Sequence, residues 1–149
     1  LFLPEALAAV LLPYWTLANT KASHQQISSA TVVMSIGGLL VGFILYTFGP
    51  WLLPYIFETE HQRVVPWLWV LMPLFSLQFT NQALLASFMA RNEEKQALAI
   101  LAFAGLFALM GMWLFAQQSL YHLILVILVA EGLFTFGALV QRRRTDDSN

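Results

Sequence analysis

The sequence predicts an all-α, polytopic membrane protein: a bundle of five transmembrane helices. Three observations carry this. Of 149 residues, 59% are hydrophobic and only 10% charged, where a soluble domain carries about 25% charged. The mean hydropathy is +0.71. The apolar residues also fall into five runs separated by short polar connections, the pattern of successive spans rather than of one buried core. The runs do not alternate as barrel strands would, and in lipid a helix satisfies its own backbone.

The expected helices lie at about 1–18, 30–57, 64–90, 97–116 and 120–140, together forming a transmembrane bundle over 1–141. A span needs roughly 20 apolar residues. The first run is short, as a cut helix would be. The chain opens inside it, with no methionine and no basic n-region before it, so it does not read as a signal peptide. We expect the tail of a longer protein. Residues 142–149 read as a basic-then-acidic tail, disordered over its last residues.

Orientation follows from the loop cations. Lys21, Arg91, Lys95, Arg142, Arg143 and Arg144 fall on one face of a five-span path, and Arg63 alone falls on the other. The expected topology therefore places the C-terminus in the cytoplasm, with Arg91, Lys95 and the three terminal arginines as cytoplasmic anchors. The 58–63 connection lies outside. Trp51, Tyr55, Trp67, Trp69 and Tyr121 cluster near that outer side, the depth that amphipathic rings favour.

Inside the spans, polar residues are few and placed. Gln78, Asn81 and Gln82 stand at i, i+3 and i+4, on one stripe near the middle of the third helix. Three amides do not face lipid tails without partners. They face another helix or line a watery cavity. Glu131 sits eleven residues into the fifth run, near the midplane. A charge there costs about 2.5–3.5 kcal/mol or more. Its plain reading is a neutral carboxyl in one interhelical hydrogen bond; its functional reading is a coupling or substrate-facing carboxyl. Thr135 shares its face. In the second helix Thr31, Ser35, Gly38, Gly42 and Tyr46 share a stripe that contains a GxxxG, so Gly38 and Gly42 are expected to admit a neighbouring helix. Pro73 is expected to kink the third helix or end its first turns.

Several chemistries are excluded or unsupported by the residue types. There is no cysteine, hence no disulfide, thiolate nucleophile or cysteine metal site. His24, His61 and His122 show no HExxH or other paired spacing, and no GxSxG or phosphate loop occurs. No enzyme activity, metal, cofactor or nucleic-acid partner is expected. The bilayer is the expected environment.

The stretch "GGLLVGFILYTFGPWLLPYIFETEHQRVVPWLWVLMPLFSLQFTNQALLASFMARNEEKQALAI" resembles the C-terminal half of polysaccharide flippases. These are the O-antigen and teichoic-acid type exporters of the multidrug/oligosaccharidyl-lipid/polysaccharide superfamily. The likeness is an order of features over residues 3–144: a glycine-bearing helix ending "FGPWLLPYIF", a short outer loop, a helix closing on an Arg-containing turn, then two helices and a basic end. It implies five helices of the C-terminal lobe of a transporter of about twelve, which works by alternating access. It also implies a missing N-terminal lobe of the same chain, a bacterial cytoplasmic (inner) membrane location, and a lipid-linked saccharide as substrate. Gln78, Asn81, Gln82 and Glu131 are then the candidate cavity-facing groups. No Lys or Arg lies within the spans, so cations for a pyrophosphate-linked substrate would come from the missing lobe. A midplane carboxyl also suits a cation-coupled multidrug exporter of the same superfamily. A non-transporting assembly or scaffold protein would use the same polar and glycine faces for packing alone.

Overall fold

The computed structural model describes residues 21–56, 65–115 and 120–147. These form α1 (Lys21–Ile56), a short 3-10 segment (Val65–Val70), α2 (Leu71–Ala90), α3 (Glu94–Phe115) and α4 (Leu120–Asp147). There is no strand among the described residues. Four stretches are long and apolar enough to cross a membrane: Ser28–Tyr55, Val65–Ala90, Glu94–Phe115 and Tyr121–Arg144. The five-helix expectation is thus matched by four spans among the described residues. The helix expected at 1–18 and the connections at 58–63 and 117–119 lie outside them.

Two boundaries differ from the sequence expectation. α1 begins at Lys21 rather than near residue 30, and α4 runs to Asp147 rather than stopping near residue 140. Both extensions are polar. Hydropathy reports where a helix leaves the apolar layer, not where it ends. Lys, Gln and Arg are good helix formers, and Arg144 in the last turn of α4 complements the negative end of the helix dipole.

The start of α2 follows from its single proline. Pro73 lies in the first turn of α2, where its missing N–H has no intrahelical partner to lose. Its ring would clash with the carbonyl four residues earlier if the α-helix continued backwards. The preceding residues are wound as the tighter 3-10 form instead.

The α2–α3 turn is shorter than the polar run at 91–96 implies, because α3 starts at Glu94. Asn92 adopts a left-handed conformation (φ 57°). The Glu93 amide donates to the Phe88 carbonyl at 2.9 Å, and the Asn92 amide to Met89 at 3.2 Å. This is a Schellman closure with asparagine in the position glycine usually fills. It reverses the chain in three residues.

The helices pack in the order α1, α2, α4, α3. α2 is the central element and the most buried span. α1 lies against it through Met34, Phe79, Ala83 and Ala86. The approach is close because of the expected glycines. A Cβ on Gly38 would collide with the Phe75 carbonyl and lie 2.7 Å from the Ser76 Cα. One on Gly42 would collide with the Met72 Cα and lie 2.8 Å from its nitrogen. Backbone therefore rests on backbone along this seam. Ser35 and Ser76 pair across it, hydroxyl to hydroxyl at 2.9 Å.

α2, α3 and α4 share a second cluster of Leu84, Phe88, Ala97, Ala104, Phe134 and Ala138. α2 and α4 run parallel here, because one whole span separates them. Arg91 and Lys95, in and just after the α2–α3 turn, share one end of the bundle with the terminal arginines of α4. Gln141 donates to Gln96 at 3.0 Å at that end. At the opposite end Trp67 stacks on Tyr121 with ring centroids 4.6 Å apart. Trp51, Tyr55 and Trp69 point outward, Tyr55 being 91% exposed.

Candidate functional site

α2 and α4 meet at mid-span through hydrogen bonds as well as packing. Asn81, 7% exposed, donates from Nδ2 to Glu131 Oε2 at 2.6 Å and to the Glu131 carbonyl oxygen at 3.1 Å. Its Oδ1 accepts from Thr135 Oγ1 at 2.6 Å. The Thr135 hydroxyl also lies 2.9 Å from the Glu131 carbonyl, one turn back. Asn81, Glu131 and Thr135 form one connected group across the α2–α4 seam.

Local structure places each member. Residues 131 and 135 are four apart on a helix and so share a face. Asn81 and Thr80 lie on the buried side of α2, where Thr80 donates to its own helix at the Ser76 carbonyl (2.7 Å). Of these two, it is Asn81 that hydrogen-bonds across to α4. Short-range polarity of this kind is expensive in an apolar layer unless the groups are matched. Asn81 is matched at both ends of its amide.

Beside this group lies a cavity of about 480 Å³ between α2, α3 and α4. It falls within the usual range of ligand-sized pockets, about 300–1,000 Å³. Gln78, Asn81, Gln82 and Glu131 all line it. The four candidate cavity residues named from sequence are thus gathered on one wall. They are not equivalent. Gln78, Gln82 and Glu131 are half-buried, whereas Asn81 is buried and spent on protein partners.

The facing wall belongs to α3 and is apolar and small: Ala104, Gly105 and Ala108, flanked by Leu101 and Met112. The space exists because these side chains do not fill it. A Cβ added to Gly105 would meet nothing within 4 Å. By contrast α3 is held to α4 at either end, where Gly111 receives Val126 and Gly137 receives Ile100. α3 therefore contacts α4 above and below a gap. Sequence reading missed this wall. Its signal was present, as small residues at 104, 105, 108 and 111 recur at helical spacing.

Gly38 and Gly42 lie on the far side of α2 from the cavity, in the α1 seam. Arg91, Lys95, Arg142, Arg143 and Arg144 lie at the bundle end and do not line the cavity. No Lys or Arg lines it, and Glu131 is its only ionisable group among the described residues. No group of His, Asp or Glu suited to a metal occurs among the described residues.

The chemistry of the wall is therefore one carboxyl flanked by two amides that face open space. Amides offer paired donors and acceptors to hydroxyl groups, and a carboxyl accepts from hydroxyl or ammonium donors. No family model, curated protein or solved structure matches this chain.

Proposed function

We propose that this chain belongs to a membrane transporter that moves a lipid-linked saccharide across the bacterial cytoplasmic membrane by alternating access, in the manner of the polysaccharide flippases it resembles. The observation that supports this reading most is the mid-span cavity lined by Gln78, Gln82 and Glu131. Polar groups set around open space within apolar spans are the usual mark of a transport path. Two glutamines beside a carboxyl suit the hydroxyl groups of a sugar. The order of features over residues 3–144 supports the polysaccharide class.

A second reading is favoured by one specific observation: the only ionisable group on the cavity wall, among the described residues, is acidic. A carboxyl without a neighbouring cation suits a cation-coupled exporter of organic compounds in the same superfamily. A scaffold protein would use the same glutamines to hydrogen-bond a partner helix, and no specific observation favours it.

Deletion of the gene separates these readings. If the flippase reading holds, a lipid-linked saccharide accumulates on the cytoplasmic leaflet and its exported polymer disappears from the cell surface, both restored by the intact gene. Normal surface polymer with new sensitivity to cationic compounds would instead establish the exporter. Neither phenotype would leave the scaffold.

A further inference from the structure

Among the described residues that line the cavity, Asn81 is the only one whose side-chain polar atoms are all engaged by protein. Its two ends are nearly the same shape, so sterics do not choose between the two orientations of the amide; its partners do. As it stands, Oδ1 takes the Thr135 hydroxyl at 2.6 Å and Nδ2 is turned to Glu131 at 2.6 Å.

The Thr135 hydroxyl has one proton and two acceptors in reach, Asn81 Oδ1 and the Glu131 carbonyl at 2.9 Å. Giving the proton to Asn81 fixes the observed amide orientation. Giving it to the carbonyl leaves a hydroxyl lone pair facing Asn81, which suits the reversed amide. The reversed amide would set Oδ1 against both acceptors that Nδ2 now serves, Glu131 Oε2 at 2.6 Å and the Glu131 carbonyl at 3.1 Å, so the Thr135 proton and these two acceptors hold the amide the same way round. The hydroxyl, the amide and the carboxyl are thus linked in series. No cavity-lining residue of α2 or α3 is titratable, so no other ionisable group on that wall competes for this role.

We propose that Thr135 is a positioning residue: acting through Asn81, it sets the donor environment of the Glu131 carboxyl and so how that carboxyl meets whatever enters the cavity. This rests on Glu131 facing the cavity and not on which substrate is moved. A failure of the saccharide reading leaves it intact.

The test reads Glu131 directly. The protein, in its native membrane, is treated with a hydrophobic carbodiimide, and modification of Glu131 is followed by mass spectrometry. Thr135→Val keeps the side-chain volume and removes the hydroxyl. It should change the modification rate by roughly 2- to 10-fold, the range that one hydrogen bond of ordinary net strength controls. Thr135→Ala should do the same, and Thr135→Ser should restore the original rate. In an Asn81→Ala background, adding Thr135→Val should change nothing further, because the link is already cut. An unchanged rate in both Thr135→Val and Thr135→Ala overturns the proposal. So does a Thr135→Ser variant that behaves like Thr135→Val, or an added effect in the Asn81→Ala background.

Discussion

Asn81 on α2 and Glu131 on α4 are joined by a 2.6 Å hydrogen bond at mid-span, fifty residues apart in the chain. The bond explains how a carboxyl is tolerated at this depth. It also makes the two residues unequal in what their loss should do.

Removing Asn81 leaves Glu131 without its donor. Asn81→Leu should destabilise the bundle by about 1–3 kcal/mol, the cost of a stranded buried partner. Measured bonds inside membranes average nearer 0.6 kcal/mol, so the lower part of that range is expected. Asn81→Leu combined with Glu131→Leu should recover most of the loss, since no polar group is then stranded. Thermal unfolding in detergent, compared across the two single variants and the double, checks this.

The glycines divide by what surrounds them. Gly42→Val must push α1 off the Met72 backbone and should cost about 1–3 kcal/mol, as overpacking does. Gly105→Ala enters open space. It should be neutral or slightly stabilising, because alanine is the better helix former by up to about 1 kcal/mol. The same unfolding measurement ranks the pair, and the reverse order would contradict the packing described.

If the proposed transport reading holds, bulk placed on the α3 wall should block the path without disturbing the fold. Gly105→Phe places a ring at a position that lines the gap together with Gln78, Gln82 and Glu131. It should reach the membrane at normal abundance and lose most transport. Retained transport would mean the gap is not on the path.

Topology can be read by labelling. The chain has no cysteine, so single cysteines report without background. Cysteine at Lys95 should react only from the cytoplasmic side, and cysteine at the highly exposed Tyr55 only from outside. The reverse pattern would invert the assigned orientation.

Much of this was legible in the sequence, for definite reasons. Spans show because twenty apolar residues have few other uses. The Gly38–Gly42 seam shows because small residues four apart mark a close approach. Gln78, Asn81, Gln82 and Glu131 show because polar groups in apolar spans are costly. What did not show is pairing across helices. Nothing in a linear chain says that Asn81 meets Glu131 while Gln78 and Gln82 face a void. That depends on α2 and α4 being parallel neighbours with α3 set to one side. The polar starts and ends of α1 and α4 were also hidden, because helix propensity continues where hydropathy stops. The α3 wall was overlooked because alanine and glycine carry no chemistry, and their contribution is the room they leave.

The central claim is that Glu131 serves the cavity and not only the seam. Glu131→Gln tests it most directly. A glutamine keeps an oxygen for the Asn81 donor, so the seam survives, while the ionisable group is lost. If the chain belongs to the proposed flippase, the variant should insert at normal abundance and lose most export of the surface saccharide. Export at the original rate, with abundance unchanged, would contradict the claim and leave Glu131 as a packing residue alone.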